Sequence, residues 1–182
     1  MMRPLFQRLR RLTLVLLMAS LGGCAGVDPQ VYSQEKPSLD LFRYFSGDVD
    51  AWGHFSDRSG KVVKRFTVAI RGTVAGDTLT LDEQFRYSDG SKSQRVWTIR
   101  RTAPGQYAGT ADDVIGSARG VTAGNALQWN YVLALPVDGR TWHVDFDDWM
   151  YLQDETMMLN KSVMSKFGIR LGEVLLAFRK RG

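Results

Sequence analysis

The run His143-Val144-Asp145-Phe146-Asp147-Asp148 brings together more metal-ligating and titratable side chains than its surroundings, so it is the first place to look for chemistry. His143, Asp145 and Asp147 alternate, and on a β-strand alternate residues share one face. Side chains at i, i+2 and i+4 span roughly 13 Å there, too far for three ligands to meet one ion without bending. The trio therefore reads as a solvated outer face, and neither a metal nor another cofactor is called for.

A second set follows from parity. Glu83 alternates in step with Leu79, Leu81 and Phe85; Arg95 and Arg101 with Trp97 and Ile99; Asp148 with Phe146 and Met150. If the apolar face of each strand points inward, these charges point inward too. An unpaired buried charge costs several kcal/mol, so inward charges must pair with each other or with a ligand head group, or else sit at the rim or beyond a bulge that shifts the register. Arg95 or Arg101 over a fatty carboxylate is the functional reading, because a guanidinium suits bidentate recognition of a carboxylate. Trp97, Trp129, Tyr131, Trp142 and Phe146 share the inward parity and complete a candidate ligand-binding set with Glu83, Asp148 and the two arginines. Met150, Met157, Met158 and Met164 would line an adaptable apolar cavity, or equally fill a solid core. Conventional catalytic machinery is missing: the sequence has no nucleophile elbow, dinucleotide fingerprint, P-loop or zincin motif, and its histidines are His54 and His143.

Period two dominates the elements that must position these residues. Phe66, Val68, Ile70, Gly72 and Val74 alternate with polar neighbours, as do Leu127, Trp129, Tyr131, Leu133 and Leu135, and the pattern recurs through Phe178. Turn signals at Gly60, Gly76, Gly90, Gly105, Gly124, Gly139, Asp154 and Gly168 delimit strands over 48–56, 61–74, 78–87, 93–102, 106–112, 114–121, 126–135, 141–152, 156–166 and 170–180. Before them Leu39, Leu41, Phe42 and Phe45 form the face of a short helix, with Ser38 as its expected N-cap and Gly47 as its stop. Long antiparallel strands joined by tight turns hide their edges most simply by closing. The expected fold is an all-β, antiparallel up-and-down, lipocalin-like barrel of eight to ten strands with a short N-terminal helix. A barrel of that size is either filled by side chains or just able to hold one small ligand.

The charge lies elsewhere. The 182 residues carry 24 Lys and Arg against 19 Asp and Glu, a formal +5, with a pI near 9.5. Arg3, Arg8, Arg10 and Arg11 precede the apolar run Leu12–Leu21, and without those four the balance is 20 to 19. A nearly neutral body has no electrostatic footprint for a polyanion, so nucleic acid is excluded as a partner. The four arginines and the run are the basic and apolar regions of a secretory leader, about half the ~20 residues that a spanning helix requires. Residues 1–23 are thus expected to be a signal peptide, 24–38 a lipidated tether that contains Pro29 and Pro37 and reaches at most about 50 Å, and 39–182 the barrel.

Leu21-Gly22-Gly23-Cys24 resembles the lipobox of bacterial lipoproteins, where the cysteine is lipidated and becomes the N-terminus. Cys24 is the sole cysteine of the chain, and lipidation accounts for an exported thiol with no partner. In such lipoproteins Ala25, rather than an aspartate, implies the periplasmic face of the outer membrane, with the membrane engaged through N-terminal acyl chains. The layout of leader, lipobox, short helix, Trp52 in the first strand and a meander ending on Phe178-Arg179-Lys180-Arg181 resembles an uncharacterised family of proteobacterial lipoproteins and, in architecture, the calycin superfamily of lipocalins and fatty-acid-binding proteins. Lipocalins carry Gly-x-Trp on the first strand; here Asp50-Ala51-Trp52-Gly53 has the glycine out of place. The resemblance implies a carrier of a small amphipathic ligand such as a fatty acid. The alternatives are a small barrel enzyme of isomerase or cyclase type acting on a lipid, and a structural lipoprotein that recruits envelope partners.

Overall fold

The computed structural model describes residues 26–137 and 139–182, so the expected leader and Cys24 lie outside the described residues. Ten strands follow one another around the barrel: β1 (Gly47–Asp57), β2 (Val62–Ala75), β3 (Thr78–Tyr87), β4 (Lys92–Ala103), β5 (Gln106–Thr110), β6 (Ala118–Ala123), β7 (Ala126–Val137), β8 (Arg140–Leu152), β9 (Met157–Lys166) and β10 (Ile169–Lys180). Every neighbour is antiparallel, and β1 pairs with both β2 and β10, from Val49 opposite Lys180 to Asp57 opposite Gly172, so the sheet closes without a free edge. This is the barrel that the alternation predicts, at the upper end of the expected strand count.

Alternation sets the inside. On β8, Val144, Phe146 and Asp148 are buried while His143 and Asp145 are exposed. Two of the hairpins are closed by one device: Asp57 Oδ1 accepts from the Ser59 amide (2.8 Å) and hydroxyl (2.6 Å), with Gly60 at φ +88°. Asp89 does the same for the Ser91 amide (3.0 Å), with Gly90 at φ +83°. A left-handed residue after a short turn lets the hairpin keep the strand twist, and glycine adopts it without strain.

One end of the barrel is plugged. Helix α1 (Leu41–Phe45) buries Leu41, Phe42, Tyr44 and Phe45. Its N-cap is Asp40 rather than Ser38: the Asp40 carboxylate accepts from the amides of Phe42 (2.9 Å) and Arg43 (3.0 Å), while Ser38 Oγ accepts from Lys36 Nζ at 3.0 Å and the Leu39 amide donates to Gly124 O at 2.8 Å. The plug seats against Gly72, where an added Cβ would lie 1.6 Å from the Phe45 carbonyl oxygen. Lys180, at the end of β10, fastens it from the other side by donating to the carbonyls of Arg43 (3.2 Å), Tyr44 (2.8 Å) and Ser46. Cations are favourable at a helix C-terminus, where carbonyls lack amide partners.

Two segments differ from expectation. The strand expected over 114–121 begins only at Ala118, because residues 111–117 form a loop held by a bridge between Val114 and Leu133 and by Ala134 N donating to Asp113 O (2.8 Å). The stretch before the helix, expected to be an extended tether, carries a 3-10 turn at Pro29–Tyr32 that lies on the barrel wall. Tyr32 packs edge-on to Trp149 (5.9 Å) and Tyr151 (5.3 Å). Lack of an apolar period hid this docking, which rests on the Tyr32 ring, on its hydroxyl 3.4 Å from that of Tyr151, and on the single backbone bond from Leu39 N to Gly124 O.

Candidate functional site

The interior is hollow. A cavity of about 880 Å³ runs from the plug residues Leu41 and Phe45 to Val137, Trp142 and Leu171 at the opposite end, within the size range of small-molecule sites. Its walls are apolar through Val68, Leu81, Phe85, Leu133, Phe146 and Leu176. Room is kept partly by glycine: a Cβ at Gly109 or Gly120 would lie 2.6 or 2.3 Å from ring atoms of Trp129, so the indole lies flat on the backbone of β5 and β6 instead of crossing the lumen. The far end is a mouth edged by exposed apolar side chains, among them Val62, Val137, Trp142, Phe167 and Ile169.

Apart from Lys64 and Tyr87 near the mouth, polar groups interrupt this lining in one belt. Glu83 on β3 stands directly across from Arg95 on β4. Arg95 in turn holds Asp113 of the β5–β6 loop, Nε donating at 3.0 and 3.1 Å and Nη2 at 2.7 Å. Tyr131 donates to Asp148 Oδ2 at 3.2 Å, and Asp148 faces Ser162 across the β8–β9 pair. Asp148 Oδ1 and Ser162 Oγ, both buried, are left without a hydrogen-bond partner. Asn160 completes the polar side of β9, its amide donating to Trp149 O at 3.2 Å.

Burial governs how these groups titrate. It pushes the Glu83 carboxyl up to about 7; Arg95 opposes the shift, and the charges of Asp113 and Asp148 add to it. Burial likewise pushes Asp148 up to about 7 against the pull of the nearby Ser162 and Tyr131 hydroxyls and of Arg95. Tyr131 is raised well above its ordinary value by burial and by Asp148. Burial alone would make Arg95 a weaker base, but its bonds to Asp113 and the charge of Glu83 hold it firmly cationic. Two carboxyl groups that exchange protons near neutrality inside an apolar cavity can act as hydrogen-bond donors or acceptors, and can serve as acid and base.

Parity placed most of the candidate residues. Glu83, Arg95, Trp97, Trp129, Tyr131, Phe146 and Asp148 line the cavity. Their rings form one wall: Trp97 meets Trp129 edge-on at 5.7 Å and Tyr131 at 5.4 Å, and Tyr131 stacks on Phe146 at 5.0 Å. Trp142 stands at the mouth, with the Lys166 ammonium 5.4 Å from its ring. Arg101 is not in the cavity. The register shifts after it, and it lies at the plugged end, 3.5 Å from Asp40 and over the Phe42 ring at 4.9 Å. Met150 and Met164 line the cavity, whereas Met158 is fully packed and Met157 lies outside the lining. His143 and Asp145 sit exposed on the outer wall, and Asp147 beside them is bound by Gln128 (2.8 Å) and Asn130 (2.6 Å). Trp52, offered as the lipocalin-like tryptophan, is on the outside and 48% exposed.

Asp113, Asn160 and Ser162 are the belt residues that sequence reasoning missed. The last two were readable, since Met158, Asn160, Ser162 and Met164 alternate in step. Nothing local marks Asp113, which reaches Arg95 only through the loop.

The barrel itself has known counterparts. The structure of an S-type phycobiliprotein lyase from Guillardia theta superposes with a TM-score of 0.59 at 9% identity, covering 86% of this chain and 99% of that one. A designed fluorescence-activating β-barrel aligns over 79% of this chain and 99% of its own with a TM-score of 0.42 at 12% identity. No curated protein matches the sequence. The likeness to the lyase shows the barrel fold alone, and descent is carried by the sequence itself: the family described as protein of unknown function (DUF3833) matches residues 18–180, and this chain belongs to it.

Proposed function

We propose that this protein binds and carries one small, largely apolar ligand inside the barrel, while an acylated Cys24 holds it at the periplasmic face of the outer membrane. The observation that carries the binding reading is the cavity of about 880 Å³, apolar except for one belt of polar groups and for Lys64 and Tyr87 near the mouth. Burying a ligand's apolar surface there contributes about 25 cal/mol per Å², and the belt orients it. The anchoring reading rests on Leu21-Gly22-Gly23-Cys24 behind a short apolar run. A second reading, an enzyme acting on such a ligand, is favoured by one observation: Glu83 and Asp148 both titrate near 7 on the same cavity. A lyase built on this barrel architecture fits that reading.

Native mass spectrometry of the protein purified from its host is expected to show a small-molecule adduct that is lost in a Met164→Trp variant, whose larger side chain fills the lumen. An adduct-free protein that also fails to bind a neutral naphthylamine probe saturably overturns the carrier. Cys24→Ser is expected to move the protein from the membrane to the soluble fraction, and unchanged fractionation overturns the anchor.

A further inference from the structure

We propose that the polar group the cavity takes in is a hydrogen-bond-donating cation, such as the ammonium of an amphipathic amine, seated between Glu83 and Asp148. This rests on the carrier reading and reverses the head-group charge that Arg95 suggests in the sequence.

Arg95 is already charge-paired. Its Nε and Nη2 are closed on Asp113, and the other cation of the lining, Lys64 near the mouth, is paired with Asp89 at 2.9 Å and lies over the Tyr87 ring at 4.4 Å. Around that one committed guanidinium stand three carboxyl groups, Glu83 from β3, Asp113 from the β5–β6 loop and Asp148 from β8, with Tyr131 from β7 and Ser162 and Asn160 from β9 as neutral neighbours. Asp147 adds negative charge from behind, on the outer face. An anionic head group would enter a belt with no free cation and an excess of acids. A cation would relieve that excess.

The hydrogen bonding agrees. Asp148 is 7% exposed and Ser162 is 2% exposed, and Asp148 Oδ1 and Ser162 Oγ face each other across β8–β9 with no partner beyond one another. The Ser162 hydroxyl pulls on the Asp148 carboxyl, but one hydroxyl leaves the ionised carboxylate and the Ser162 oxygen with unused acceptor sites, which a donor supplied by the ligand fills. Trp97, Tyr131 and Phe146 line the same cavity, and Trp97 already has the Arg95 guanidinium 6.0 Å from its ring.

The proton balance gives the reading a sign. Without ligand, Glu83 and Asp148 hold protons up to about pH 7. An ammonium that enters displaces one of those protons to solvent as the carboxylate that pairs with it forms, so its affinity rises by up to about tenfold per pH unit below neutrality and levels off above it. A carboxylate ligand behaves oppositely.

The test uses the full-length protein in zwitterionic-lipid nanodiscs, titrated with decylamine, decanol and decanoate and read by tryptophan fluorescence, since Trp97 and Trp129 line the cavity. Decylamine is expected to bind at least tenfold more tightly than decanoate at pH 8, and to gain about tenfold between pH 6 and pH 8. In Glu83→Gln and Asp148→Asn, isosteric changes checked for cooperative unfolding, the preference for decylamine over decanol is expected to fall at least tenfold. Equal binding of amine and alcohol, or a preference for decanoate, overturns the inference and leaves the carrier intact. Saturable binding of none of the three overturns both.

Discussion

A carboxyl group buried without a full set of partners keeps its proton, and two such groups make this protein unusual in how it should respond to pH. In the folded state Glu83 and Asp148 titrate near 7, against 4.5 and 3.8 for the free side chains. Between about pH 4 and 7 the fold holds protons that the unfolded chain releases, so stability from these groups is fully present below that window and is lost as pH rises through 7. Each contributes on the order of 3 kcal/mol to the swing. Asp50, beside Arg181, and Asp57, in its turn, are shifted the other way, and their support is lost as pH falls below the ordinary carboxylate range. Thermal unfolding without ligand is therefore expected to show a maximum near pH 5 and a midpoint several degrees lower at pH 8. The double variant Glu83→Gln, Asp148→Asn is expected to flatten that decline.

Arg95 belongs to the same balance. Arg95→Met leaves Asp113 and Glu83 without their cation and is expected to cost about 3 kcal/mol in denaturant unfolding, with Asp113→Asn restoring much of the loss in the double variant. The sequence made Glu83, Arg95 and Asp148 visible because strand alternation is a local rule that survives into the barrel. It misplaced Arg101, which shares the parity but lies beyond the plug where the register shifts, and it could not show Asp113, whose role depends on a loop path. The partner of Arg95 sets the charge of the belt, so that charge was the least legible feature of all.

At the scale of elements, five helical residues close one end of a ten-strand barrel. A helix this short is not stable alone, and α1 persists because Asp40 caps it, Lys180 collects its carbonyls and Gly72 leaves room for its backbone. Asp40→Ala is expected to cost about 1 kcal/mol. Gly72→Val, which drives a side chain into the Phe45 carbonyl, is expected to unseat the plug and open the cavity at both ends, seen as faster release of a bound naphthylamine probe in stopped flow. The helix was readable from the spacing of Leu41, Phe42 and Phe45, but its start was not. Ser38 and Asp40 are both good caps, and the spacing alone does not say that Asp40 takes the Phe42 and Arg43 amides while the Ser38 hydroxyl is bound by Lys36.

For the molecule as a whole, closure between β1 and β10 joins the two ends of the described sheet. Removing β10 would expose the unpaired backbone of both β1 and β9, so a chain truncated after Phe167 is expected to lose cooperative unfolding by circular dichroism and to aggregate. A full ten-strand closure was foreseeable from the regular turn spacing; whether the lumen was hollow was not, because Trp129 fills or spares it according to two glycines on other strands.

The docking of Tyr32 on the outer wall reaches beyond the barrel. If Cys24 carries the proposed acyl anchor, its distance from the docked turn is bounded by the five residues 24–28, at most about 17 Å of chain, instead of the fifteen residues 24–38, at most about 50 Å. The volume that the barrel could sweep above the bilayer shrinks roughly with the cube of that length, about 25-fold. A carrier on such a short leash cannot shuttle across an aqueous gap; it would meet whatever diffuses laterally in its own leaflet, and exchange with a distant membrane would need the cargo, not the protein, to make the crossing.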